Sequence, residues 1–316
     1  MGRILTNRQV LGAKIEAVEG TAETLAGSDC NVQLLEPAKF EPNIAMFARN
    51  LLGTSLSAIK MIPGTLLAQI SCKVEAKGSG TAGTAPALGK LNKACGLGET
   101  VVAVTSVTYA PVSALASIPT LTMAVYVDGV LEQIRGARGT RKYMGKNGEP
   151  GVYEYTFIGI YDAVTDVALP TPSGVETTQP VALLTAAFSV ASFSAFISQI
   201  AVDLGNQLQL RPDMNKAEGY ISTLLTKRNV TGSFDPEMEL VATHDFYGRW
   251  LAGTTGVLTW KHSRSVAGNI LTISAPVCQY TKLSPTDRNG IATLGADFLL
   301  ARSSAAGDDE LSEVWT

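Results

Sequence analysis

Hydrophobic and polar residues alternate most cleanly at 67–77. Ala68, Ile70, Cys72, Val74 and Ala76 point one way, and Gln69, Ser71, Lys73, Glu75 and Lys77 the other. That period of two predicts an antiparallel strand, dry on one face and wet on the other. A loop follows at 78–85, and Pro86 suits a first helical turn. Leu88, Leu91 and Cys95 recur at helical spacing, with Gly96 placed to end the helix in a left-handed conformation. Residues 101–109 and 121–127 read as strands, and Asp128-Gly129 predicts a hairpin into a strand opening at 130–134. Along 151–161, Tyr153, Tyr155, Phe157 and Tyr161 share one face and Val152, Ile158 and Ile160 the other. Apolar residues on both faces predict a cover: a second sheet, a helix or a neighbouring subunit.

The same plan then recurs. Val230, Gly232 and Phe234 alternate with Thr231, Ser233 and Asp235, and Asp235-Pro236 breaks the strand. Thr243 is placed to cap a short helix carrying Phe246 and Trp250, closed by Gly253. Residues 256–262, 270–280 and 290–300 supply further strands. The run from Val130 to Ile158 and the run from Asn269 to Phe298 keep nearly the same offset throughout. The chain therefore reads as mainly β, with two tandem units, 1–170 and 171–316, each flanked by a short α-helix. Residues 65–161 and 228–300 are expected to share one strand connectivity. The Pro- and Thr-rich stretch 164–180 is the linker candidate. The acidic C-terminal tail, 307–315, is expected to stay mobile until it meets a partner.

Composition narrows the function classes. A length of 316 residues suits two units of roughly 150 each. Hydrophobic residues make up 46% and charged ones 17%, which leaves more neutral surface than a free monomer usually shows and points to assembly. A net charge of −3 is no basis for wrapping nucleic acid. Four cysteines without CxxC spacing, beside two histidines, build no zinc pattern and read as buried thiols. No basic start followed by an apolar core marks a signal peptide. Residues 180–200, broken by Thr and Ser, read as strands and loop, so no membrane insertion is expected.

Candidate chemistry is thin. Gly78-Ser-Gly80-Thr-Ala-Gly83 spells GxGxxG between a strand and a helix. A dinucleotide fold needs a first strand buried on both faces and an acid at the end of the next one, and neither is present. The motif reads as a flexible glycine loop. Gly89-Lys90 lacks the Ser or Thr of a phosphate loop. Arg135, Arg138, Arg141, Lys142 and Lys146 form a basic run with only Tyr143 as an aromatic, so a solvated hairpin or subunit contact fits better than nucleic-acid recognition. Asp203, Asp213 and Glu218 lack a His or Lys partner at catalytic spacing, as His244 and His262 lack a Ser or Cys. No catalytic, cofactor or metal residue is assigned, no cofactor is expected, and the chain reads as a non-enzyme.

Several stretches resemble the tail tube, or major tail, proteins of long-tailed bacteriophages. In the first half these are Glu16-Ala-Val-Glu-Gly-Thr-Ala-Glu-Thr-Leu, Val74-Glu-Ala-Lys-Gly-Ser-Gly-Thr-Ala-Gly-Thr-Ala-Pro-Ala-Leu-Gly and Ala94-Cys-Gly. In the second half they are Asp203-Leu-Gly-Asn, Arg211-Pro-Asp, Ala217-Glu-Gly-Tyr and Thr231-Gly-Ser-Phe-Asp-Pro-Glu. The combination covers most of the chain. The resemblance implies β-sandwich or barrel tube domains that assemble into rings stacked as a hollow tube for genome ejection. It also implies a virion-tail location after assembly in the host cytoplasm. The implied partners are the tape-measure protein and phage DNA inside, and the terminator and distal tail proteins at the ends. An inner tube of a contractile tail or related injection system is the alternative.

The usual member has one tube domain and six-membered rings, whereas this chain carries two, so the resemblance implies a homotrimeric, pseudo-hexameric ring. About four strands per domain would give ~24 strands; at ~4.8 Å spacing and ~45° tilt the wall is roughly 50 Å across, leaving about 40 Å for a ~20 Å duplex. The polar faces, Gln69, Ser71, Lys73 and Glu75 with Thr231, Ser233 and Asp235, are expected to line the bore, the other possibility being that they face outward. Two long segments, 43–64 and 204–228, are expected to make ring-to-ring contacts and to order only on assembly. They carry Phe47, Leu51, Leu52, Leu56, Arg211 and Tyr220. The alternative is that Phe47 and Leu51 fill the domain's own core.

Overall fold

Alternation of the kind seen at 67–77 governs most of the chain, and the result is mainly β. A computed structural model describes residues 3–262 and 266–316. β1 (Gln9–Ile15), β2 (Lys39–Phe47) and β3 (Ile62–Glu75) precede α1 (Gly89–Ala94). The hairpin β4 (Leu97–Val102) and β5 (Ser106–Pro111) leads into β6 (Leu121–Val127), β7 (Val130–Lys146), β8 (Val152–Tyr161) and the short β9 (Thr165–Asp166). After a stretch without strands come β10 (Ser189–Val190), β11 (Gln199–Asp203) and the hairpin β12 (Gln207–Pro212) and β13 (Tyr220–Lys227). β14 (Thr231–Phe234), α2 (Phe246–Ala252), β15 (Gly256–His262), β16 (Leu271–Arg288), β17 (Ile291–Leu300) and β18 (Ser312–Trp315) complete the chain.

Sixteen of these strands form one antiparallel sheet, and β12 pairs with β13 alone. One pairing order occurs twice. In the first half it is β2, β3, β8, β7, β6, β1. In the second it is β11, β14, β17, β16, β15, β10. A short helix follows the second member of each set, β3 and β14. The two sets are joined because β7 outruns β6: residues 142–146 lie past it and pair with β11.

The dry faces meet in one continuous core. Ile70, Tyr155, Phe157, Leu91, Phe234, Trp260, Phe298 and Trp315 all belong to it. Each large side chain removed from water contributes about 1.5–3 kcal/mol. The even-numbered face of β8, expected to be covered, is met at Ile158 by the β12–β13 hairpin, where Thr223 Oγ1 donates to the Ile158 carbonyl at 2.7 Å.

Local expectations failed where a turn carried no marker residue. Residues 101–109, read as one strand, are the hairpin β4–β5, turning at Val104 with φ 60°. Thr243 does not cap α2; Asp245 does, accepting from the Gly248 amide at 2.7 Å. The segment 204–228, expected to order only on assembly, is a hairpin docked on β7 and β8 within the single chain. The basic run is no solvated hairpin: Arg138 and Arg141 are buried.

The C-terminal tail is the largest correction. Instead of staying mobile, β18 fills the gap between β16 and β5, so it ties the second half to the first. An acidic tail can enter a core because its charge meets a partner there. Glu313 pairs with Arg141, each side chain 2% exposed. Arg141 also donates to Asn92 Oδ1 at 2.8 Å, and Tyr153 donates to Glu313 at 3.1 Å. Burial works against the Arg141 charge, but the attraction of the facing Glu313 prevails and the Arg141 pKa is raised. Replacing Glu313 by Gln leaves that guanidinium buried without a counter-charge. The expected loss is about 3–5 kcal/mol in urea unfolding, and a change below ~1 kcal/mol would contradict this role.

Candidate assembly surfaces

Directly opposed residues of antiparallel strands share a face, so register fixes which side chains stand together. One row runs Lys73, Glu154, Lys142, Asp203, Thr231, Leu299 across β3, β8, β7, β11, β14 and β17. The next runs Glu75, Val152, Met144, Ala201, Ser233, Asp297 and on to Lys282 of β16. Gln69, Ser71, Lys73 and Glu75 therefore lie on the same face of the same sheet as Thr231 and Ser233. Asp235 continues past the end of β14. It accepts from the Ser198 and Gln199 amides at 2.8 Å and pairs with Arg288 at 3.2 Å. On the other flank, Lys39 and Glu41 of β2 stand opposite Ser71 and Gln69.

This face spans eight strands, from β2 to β16. Its charges alternate along the first row, Lys73 and Lys142 against Glu154 and Asp203. Glu36 pairs with Lys73 at 3.0 Å and holds its ammonium above the ordinary pKa. Lys39, Glu41, Lys142, Glu154, Asp203, Lys282 and Asp297 were missed as members of this face. Glu154 and Thr156 alternate with aromatics and could have revealed β8. Elsewhere, register shifts between Arg135 and Arg138 and between Tyr280 and Lys282 break the period of two.

The eight strands of this face have two distinct ends. At one, β2 and β3 continue as an arm. Every residue from 46 to 63 is exposed. Phe47 and Leu51 are 59% and 58% exposed, and Leu52 and Leu56 entirely so. The tip of the β12–β13 hairpin meets the root of this arm. Glu218 accepts from the Leu66 amide at 3.1 Å, and Tyr220, half-buried, donates to Thr65 Oγ1 at 3.3 Å. Arg211 lies exposed beside that tip. The two segments named from sequence are thus brought together at one end of the sheet. At the opposite end lie the β7–β8 and β16–β17 turns and residues 235–241.

The candidates for chemistry have structural partners. A Cβ on Gly78 would stand 2.0 Å from the Gly268 carbonyl oxygen, and the Gly78 amide donates to Asn269 Oδ1 at 2.7 Å. The glycine loop is thereby packed against a neighbouring turn. Arg135 pairs with Asp162 and Glu218, and Arg138 pairs with Glu19 and donates to the Ile118 and Thr223 carbonyls. The basic run is largely neutralised inside the chain. All four cysteines are buried and free; burial pushes the Cys72 and Cys278 thiols up to about 12. His262 sits between the Tyr143 hydroxyl and the Val181 carbonyl, and burial lowers its pKa. No helix among the described residues is long and apolar enough to cross a membrane.

Exposure of the arm has a direct consequence. Replacing Phe47 and Leu51 together by Ser should leave the unfolding free energy of the dispersed chain within about 0.5 kcal/mol. A loss above ~2 kcal/mol would return these side chains to the core.

No protein-family model and no curated protein sequence matches this chain, so its own surfaces are the guide to its role.

Proposed function

We propose that this chain is the wall subunit of a phage-type tail tube, a structural protein whose copies close into rings and stack into a hollow conduit for DNA. The two tandem units, 1–170 and 171–316, are then two tube domains, each giving four strands to the wall: β2, β3, β8 and β7, then β11, β14, β17 and β16. One observation carries the reading. The chain already contains the contact that would close the ring. In the first unit the far end of β7 pairs with β11, the outermost strand of the second unit's set. The matching end of β16, residues 282–288, has β17 on one side and no strand on the other among the described residues. β2, which corresponds to β11, pairs with β3 and with no other strand among the described residues.

Repeating the internal contact between molecules joins β16 of one copy to β2 of the next. The even strand count keeps that junction antiparallel, like every other pair in the wall. The contact is head-to-tail, so closure depends on rotation per copy. Three copies supply ~24 strands, a wall roughly 50 Å across and a bore near 40 Å. The mixed-charge polar face turned inward would let DNA and a tape-measure protein pass without gripping phosphates. Terminator and distal tail proteins would cover the open ends.

Electron microscopy of tail cross-sections tests this, with three chains per ring expected. Six chains per ring would make the second unit decoration instead of wall. Labelling gives an independent check of orientation. Cysteines introduced at Ser71 or Ser233 should react with bulky maleimides in the dispersed chain and be protected in tubes. Ready reaction in intact tubes would put that face outside.

A further inference from the structure

The arm is exposed from residue 46 to residue 63, and the far end of the same sheet offers a surface of matching character. Between 43 and 62 the arm carries Arg49 and Lys60 and no acidic residue. Its apolar side chains, Phe47, Leu51, Leu52 and Leu56, are exposed. Residues 48–61, doubling back on themselves at ~3.3 Å per residue, reach roughly 20 Å past Phe47.

The opposite end is acidic and apolar together. Residues 235–241 read Asp-Pro-Glu-Met-Glu-Leu-Val. Met238, Leu240 and Val241 are exposed, as are Ile291 at the start of β17 and Phe196. Phe196 is held beside this segment because its carbonyl accepts from the Glu237 amide at 3.0 Å. Arg288 neutralises Asp235 and Glu237, while Glu239 has no ion-pair partner among the described residues. Next to these residues opens a groove of about 690 Å³ lined by Leu183, Ala186, Phe188, Phe196, Glu237 and Arg288. Its wall includes Ala187 at φ 46°, a left-handed conformation that a side chain rarely adopts and that gathers at binding clamps.

Register places these features at opposite ends. The arm leaves β3 at Ile62, beyond the Leu67–Ile160 pair, whereas Asp287 and Ala292 pair at the other extreme of the wall, where the Met238 amide donates to the Ala292 carbonyl at 2.9 Å. We propose that the arm of one copy docks on the 235–241 surface and its groove in a second copy of this chain, in the next ring. The occupant is fixed by three matches: basic against acidic, apolar against apolar, and one arm and one receiver per chain at opposite ends. A contact between unlike surfaces at opposite ends does not close on itself, so it propagates along an axis. This rests on the tube reading, and it names the receiving surface, which that reading leaves open.

The test is a cysteine pair, Leu52→Cys with Leu240→Cys, in the full chain. The native cysteines are buried and do not compete. Oxidised tubes should run as a ladder rising by whole chains without reductant, while either single variant runs as one chain. Tubes that form but give no ladder overturn the receiver and leave the tube reading intact. If the natural chain forms no tubes at all, both fall. A charge exchange gives a second measure. Arg49→Glu should raise the concentration needed for polymerisation about tenfold, and adding Glu239→Lys should bring it back. No recovery in the double variant overturns the pairing.

Discussion

Backbone pairing between the last residues of β7 and β11 is the constraint on which the rest depends. A strand edge presents a row of N–H and C=O groups that need partners. Because β7 extends past β6, its far end would be such an edge. β11 covers it, and two halves that could have been separate become one sheet. Their polar faces then align, their dry faces share a core, and the tail strand β18 can bridge both. The same arithmetic leaves residues 282–288 of β16 with an edge that no strand covers among the described residues.

Charge placement follows from this architecture. Arg138 and Arg141 look like a basic patch in the sequence, yet their side chains enter the interior and find Glu19 and Glu313. Glu313 in turn lies in a tail whose composition suggests a solvated end. Neither can be buried without the other, so the pair couples chain end and sheet centre. What remains on the polar face alternates in sign along one row, Lys73, Glu154, Lys142 and Asp203. The arm and the 235–241 segment depart from that balance, one basic and one acidic, at opposite ends.

Much of this was legible in the sequence wherever strands are regular. The alternation of β3 and the strands β15 and β17 were read closely, because each rests on local period. The Asp128-Gly129 turn was legible because Gly129 adopts φ 108°. The β4–β5 turn was not, since Val104 carries a positive φ without any marker residue. The place of β7 and β16 on the polar face was hidden by shifts of register, at 135–138 and 280–282, that move residues to the opposite face. β12 and β13 escaped because Arg211, Asp213 and Glu218 read as loop, although Ser222 and Thr223 are fully buried against the first half. The exposure of Phe47 and Leu51 could not be separated from core packing by composition alone; only the paired geometry of β2 and β3 distinguishes them.

The central claim is that β16 of one copy completes its edge with β2 of the next, as β7 does with β11 inside each copy. Amide hydrogen exchange, compared between dispersed chains and tubes, reads this most directly. The account predicts that 142–146 and 199–203 are protected in both states, while the amides of 39–47 and 282–288 that point away from β3 and β17 gain protection only on assembly. Tubes in which 39–47 and 282–288 exchange as fast as in the dispersed chain would contradict it.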